Sequence, residues 1–228
     1  MKQPLLVLAL LVISSCGTAT HPTTESATLG KPILYIFIND VSKSNQWLQL
    51  SKKEVLDVVL QDSTSRQAIQ LAGILIQENS SAQTPYLSQT LEPKMKACDG
   101  NVFERSAISQ RNDILMKEYH HLGSLAVDSL LAHLEKPRKL LKSDINGALS
   151  LAITLASQPG YQDFEIRVVI LSDLLQDTNE NDVLNTFKFP QQTTLYLIGT
   201  SSTIDPEIVF PKNAVVKLAV FKAQFFLN

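Results

Sequence analysis

The run Ile33-Leu34-Tyr35-Ile36-Phe37-Ile38 is followed at once by Asn39-Asp40-Val41-Ser42-Lys43-Ser44. Six consecutive apolar residues, most of them β-branched or aromatic and bounded by turn-forming polar ones, suit a strand covered on both faces. Strands of that kind belong to parallel sheets, whose crossover connections lay helices on either side. Arg167-Val168-Val169-Ile170-Leu171-Ser172-Asp173 repeats the form, and Thr193 to Ile198, ending at Gly199, is a third such run. Together they predict an α/β fold of three layers, with a mostly parallel central sheet and helices on both faces.

The intervening segments fill in that plan. Lys52 to Gln61 clusters Val55, Leu56, Val58, Val59 and Leu60, with Ser51 and Glu54 at capping-box spacing, and predicts a helix. Gln67 to Gln77 and Tyr86 to Leu91, separated by Glu78-Asn79-Ser80-Ser81, predict one antiparallel hairpin at a sheet edge; period alone leaves a helix open for Ile69 to Ile76. From Phe103 to Glu135, Leu115, Tyr119, Leu122, Ala126 and Leu130 recur at helical spacing, with Gly123 as a point of weakness. His120 and His121 are adjacent, so on a helix they point about 100° apart and cannot share a metal; they and His133 read as surface residues. Ser143 or Asp144 is a natural cap for a helix running to about Ser157, with Ala148, Leu149, Ala152, Ile153 and Ala156 on its packing face. Val215 to Leu227 reads as a final strand.

The chain has 228 residues, 44% hydrophobic and 18% charged, which suits one packed domain. A net charge of -2 gives no electrostatic reason to expect nucleic acid as a partner. At the amino terminus, Lys2 precedes the apolar run Leu5 to Ile13, which is too short to cross a bilayer, since that takes roughly 20 residues. Ser14 and Ser15 then set small side chains before Cys16, as in an export signal. Ile13-Ser14-Ser15-Cys16 resembles the lipobox of bacterial lipoproteins. That resemblance implies acylation of Cys16, export, and anchoring in a membrane of the bacterial cell envelope, at the outer membrane or periplasmic face in a Gram-negative cell. The expected organisation is a signal over residues 1–16, a Thr/Ser-rich tether over 17–30 and one domain over 31–228. If flexible, the tether reaches on the order of 20 Å. With Cys16 lipidated, Cys98 has no cysteine left to pair with inside the chain, and it reads as a structural or incidental thiol.

Three separated elements carry chemistry. Asp40, Ser42 and Ser44 form Asp-x-Ser-x-Ser after the first strand, Ser143 precedes a helix, and Asp173 closes the later strand. Carboxylates and hydroxyls are hard oxygen ligands, and in an open α/β sheet the carboxyl ends of strands are where ligands sit. In this order the three resemble the metal-ion-dependent adhesion site of the von Willebrand factor A-type domain, over roughly residues 31 to 200. Ser143 stands where that family usually has Thr. Two other positions depart from its pattern: Lys43 replaces the usual Gly between the serines, and Leu174 replaces the usual Gly after the second acid.

The resemblance implies a Rossmann-like three-layer fold and a divalent cation, Mg²⁺ foremost with Mn²⁺ or Ca²⁺ as alternatives, held by Asp40, Ser42, Ser44, Ser143 and Asp173. It implies binding rather than catalysis: an adhesion or assembly module whose protein partner offers an acidic residue to the metal. Two other readings stay open from the residues alone. One is an envelope hydrolase using the same acids and metal to activate water, although no nucleophile elbow or paired-histidine motif is present. The other is a metal-free structural lipoprotein whose site has decayed.

Overall fold

The computed structural model describes residues 30–41, 50–62, 68–94, 96, 98, 100–135, 143–175 and 184–226. In chain order the elements are β1 (Ile33–Asp40), α1 (Lys52–Asp62), β2 (Ile69–Ile76), β3 (Tyr86–Leu87), α2 (Val102–Leu134), α3 (Ile145–Ala156), β4 (Glu165–Leu171), β5 (Thr193–Ile198), α4 (Pro206–Val209) and β6 (Ala214–Leu218). The six strands form one sheet in the order β3-β2-β1-β4-β5-β6. Every pairing is parallel except that of β2 with the short edge strand β3. This is the α/β architecture expected, with β1 buried along its whole length because β2 and β4 flank it and helices cover both faces.

Period-2 alternation distributes the strands' side chains between two cores. Ile33, Tyr35 and Phe37 of β1 face one layer with Val55, Val58 and Val59 of α1 and Val127, Leu130 and Leu134 of α2. Leu34, Ile36 and Ile38 face the other, with Ile145, Leu149 and Ala152 of α3 and the aromatic pair Phe189 and Phe210. Helix α2 packs closely on β2 at Gly73, where a Cβ would lie 2.8 Å from a Leu130 methyl. A side chain there would require Leu130 to shift.

Chain connectivity sets the position of the candidate site. From β1 the chain moves outward through β2 to β3, then returns to β4 on the other side of β1 and moves outward to β6. The winding therefore reverses between β1 and β4. In open parallel sheets the crevice beyond the carboxyl ends of the strands at such a reversal is where ligands bind.

The described residues divide into two compact units, one comprising Lys94–Glu118 and the other drawn from 30–93 and 119–226. In the first, Asn101 Oδ1 accepts from the amides of Phe103 and Glu104, while Glu104 Oε2 accepts from the Asn101 amide. That reciprocal capping box starts α2. Cys98, in the same unit, is disulfide-bonded and not the thiol expected. Cys16, outside the described residues, is the only other cysteine of the chain, so an intrachain bond at Cys98 and acylation of Cys16 exclude each other in one molecule. In the second unit α2 runs on through Gly123 as one helix, and Tyr119, Gly123, Ala126, Val127, Leu130, Leu131 and Leu134 form its buried stripe. His120 and His121 are exposed; His133 is half-buried, its ring 6.0 Å from that of Tyr86.

Two expectations are corrected by tertiary contacts. Glu54 does not spend its carboxylate on a capping box: Oε2 accepts from the Ala223 amide at 2.7 Å and Oε1 from Lys222 Nζ at 3.2 Å. The final strand stops at Leu218, and a 3₁₀ turn over Ala223–Phe226 follows. A continued edge strand would have left its aromatics half in water. Instead Phe226 packs 4.3 Å from the Tyr196 ring and 4.9 Å from Phe221, and its carbonyl accepts from Arg167 Nη1 at 2.7 Å. Arg167 itself is buried, and Glu165 and the Tyr35 hydroxyl also accept from its guanidinium. A buried charge is tolerated when it is paired and hydrogen-bonded in this way.

Candidate functional site

The strands end level with one another. Asp40 pairs with Ile76, Asn39 with Leu171, and Leu171 with Ile198, so the next positions, Asp40, Ser172 and Gly199, line up across β1, β4 and β5. Asp40 and Ser172 continue the α3-facing alternation of their strands, and both are buried. The Ser172 hydroxyl donates to Asp40 Oδ2 at 3.0 Å and accepts from the Leu174 amide at 3.0 Å. A hydroxyl has one proton; with the amide supplying the second bond, that proton is committed to Asp40. On the opposite face of β1 the Asn39 amide donates to the Leu134 carbonyl, fixing the end of α2 to the same strand tip.

After Ser172 the backbone turns sharply. Leu174 has φ 58°, among the described residues the one non-glycine residue with positive φ. That left-handed conformation normally calls for Gly, and here a leucine adopts it. Its side chain is buried against the core beneath α3, which offsets the backbone cost. The turn leaves Asp173 half-exposed, with Oδ1 accepting from the Leu175 amide and its carbonyl from the Ser201 amide. Asp173 thus stands at the end of β4 beside the start of the loop after β5.

On the other side, the Asp144 amide donates to the Gln77 carbonyl just past β2, which brings the start of α3 to the tip of the strand beside β1. Either Ser143 or Asp144 was competent to cap α3, and the structure selects Asp144. Its Oδ1 accepts from the Gly147 amide and its Oδ2 from the Ser80 amide, both at 2.8 Å. Gly147 permits this because a Cβ there would run into the Asp144 carboxylate. Both Asp144 oxygens are therefore used structurally. Ser143 is left with a hydroxyl that is buried and has no hydrogen-bond partner among the described residues.

Of the residues singled out for cation binding, Asp40, Ser143 and Asp173 come to the carboxyl ends of β1, β2 and β4, three adjacent strands at the reversal of winding. Ser42, Ser44 and Lys43 lie outside the described residues, as does Cys16. Two polar groups at this edge were not anticipated: Ser172, and Thr200, whose buried Oγ1 also has no partner among the described residues. The donor set is suited to a hard divalent ion, two carboxylates with hydroxyls, and the orphaned Ser143 oxygen fits a missing ligand. No cluster of three or more His, Cys, Asp or Glu that could hold a metal occurs among the described residues; the set described here relies on hydroxyls for the rest of its oxygens. Among the described residues no helix is long and apolar enough to cross a membrane.

No protein-family model matches the chain, and no curated protein matches it. Solved structures do show likeness. The N-terminal domain of TFIIH p34 aligns over 87% of this chain and 97% of its own, with 13% identity and a TM-score of 0.40. Proximal thread matrix protein 1 from the mussel byssus aligns over 87% of this chain and 46% of its own, with 14% identity and a TM-score of 0.39. Human COPII-coat protein Sec24c aligns over 88% and 31%, with 11% identity and a TM-score of 0.28. Likeness at this level adds nothing to the strand order and register, and the site stands on its own residues.

Proposed function

We propose that this chain is a divalent-cation-dependent protein-binding module of the von Willebrand factor A type, serving adhesion or assembly at the bacterial cell envelope. The observation that carries the reading is the Ser143 hydroxyl. It is buried, unpartnered among the described residues and placed at the edge where Asp40 and Asp173 also end. Leaving such a group unsatisfied costs about 1–3 kcal/mol, which a cation ligand would remove. Asp40, Ser143 and Asp173, joined by Ser42 and Ser44, would hold the ion. When bound, the cation supplies positive charge and an exchangeable coordination position that a partner's carboxylate can occupy. Asp173 is half-exposed and Asp40 buried, so of the two acids that would hold the ion Asp173 is the more accessible to a partner.

Titration calorimetry with Mg²⁺ and Mn²⁺ on the wild type, Asp40→Ala and Ser143→Ala tests the reading. Binding in the micromolar-to-millimolar range that disappears in Asp40→Ala and weakens in Ser143→Ala is expected; no heat in the wild type, or equal heat in all three, refutes it. The same proposal places the domain outside the cytoplasm, acylated at Cys16 and carried on the tether 17–30. Acylation consumes the Cys16 sulfur, so the lipidated chain cannot contain the intrachain bond at Cys98. Fatty-acid labelling that is lost in Cys16→Ala supports the anchor, and unchanged labelling in that variant overturns it.

A further inference from the structure

We infer that Ser172 is a positioning residue for the cation site, fixing the direction in which Asp40 presents its carboxylate; this rests on the cation-binding reading above. Ser172 is fully buried and lies at the reversal of winding, opposite Asp40 in the extended register of β1 and β4. Its hydroxyl is held from two sides, accepting from the Leu174 amide and donating to Asp40 Oδ2, each at 3.0 Å. The first bond orients the second. Because the Leu174 amide belongs to the left-handed turn that follows Asp173, one hydroxyl links the carboxylate of β1 to the backbone that carries the acid of β4. That link adds to the β1–β4 ladder in fixing the relation in which those two acids would meet a shared cation. A carboxylate with one fewer orienting hydrogen bond has more freedom to lose when the ion binds, and that entropy cost weakens affinity. Hydrogen-bond partners of metal ligands act in this manner, and their removal typically costs 10–100-fold in affinity.

The test measures Mn²⁺ affinity of the full chain by calorimetry in the wild type and in Ser172→Ala, Ser172→Cys and Ser172→Thr, with melting in chelator as the measure of fold. Alanine deletes the hydroxyl, cysteine fills its volume with a weak donor, and threonine retains it. Expected is a loss of roughly tenfold or more in Ala and Cys, and affinity within a few-fold of wild type in Thr. Cysteine keeps the experiment decisive if the alanine variant does not fold. Wild-type affinity in Cys, or a loss in Thr equal to that in Ala, overturns the positioning role while leaving the site intact. Absence of Mn²⁺ binding in the wild type overturns the site, and this role with it.

Discussion

Leu174 offers a direct measure of how the β4 turn is stabilised, because its backbone and side chain oppose each other. The backbone at φ 58° is unfavourable for any residue with a Cβ, by about 1–2 kcal/mol. The side chain is 1% exposed, and truncating a buried leucine costs about 2–5 kcal/mol. Leu174→Ala loses the burial and keeps the strain, so it should fall by the full truncation cost. Leu174→Gly loses the same burial but releases the strain, while the extra freedom of glycine in the unfolded chain returns about 0.5–1 kcal/mol of that relief. The order of stability should therefore be leucine, then glycine, then alanine, with glycine above alanine by up to about 1 kcal/mol. At a site with ordinary negative φ alanine would be the more stable of the two. Urea denaturation followed by circular dichroism, in chelator so that bound cation does not contribute, gives the three free energies. Alanine equal to or above glycine would show that the turn is not left-handed. Glycine equal to the wild type would show that burial of the leucine contributes nothing.

Two further outcomes follow from specific contacts. Gly147→Ala should displace the Asp144 carboxylate from its bond to the Gly147 amide and cost about 1–2 kcal/mol, as loss of a helix cap does, read as a lower melting temperature; an unchanged melt would mean that Asp144 does not cap α3. The Glu54 carboxyl is held below its ordinary value of 4.5, first by the Ala223 amide and then by Lys222. A depressed carboxyl contributes stability that is fully present above the ordinary value and lost as pH falls through the lowered one. The stability advantage of wild type over Glu54→Gln should accordingly be constant near neutrality and vanish under acid; an advantage that persists in acid would disprove the tie.

The architecture was readable because its strongest signals are local. Six unbroken apolar residues in β1 suit a strand covered on both faces, and in a parallel sheet that cover comes from the helices that other segments supply. The carboxyl-terminal segment was not readable in the same way. Its apolar run favours a strand, yet Phe221 and Phe226 find a larger burial by folding back over Tyr196 and Phe37, and Arg167 supplies the donor for the Phe226 carbonyl. Nothing in the local sequence encodes a partner some sixty residues away, so strand propensity misleads there. The capping role expected of Glu54 failed for the same reason, since Ala223 outbid a neighbour on its own helix.

For the site, residue types were legible and their division of labour was not. Ser143 and Asp144 carry equal local signals for a helix cap, and the choice depends on Gly147 allowing the carboxylate to close in and on Ser80 arriving from the loop after β2 to take its second oxygen. That assignment is what sets the Ser143 hydroxyl free, so a structural bond made by one residue determines the chemistry available to its neighbour. Ser172 escaped notice because its significance is one of register. A serine before an acid is unremarkable in sequence, and only the pairing of Asn39 with Leu171 puts its hydroxyl in reach of Asp40. Motif spacing thus points to groups that would touch a ligand directly, whereas the groups that orient them become visible once strands are aligned. On the proposed reading the oxygens at this edge fall into two sets, Asp40, Asp173 and Ser143 toward a cation, and Asp144 and Ser172 toward the protein, and substitutions in the second set should alter cation affinity only through the first.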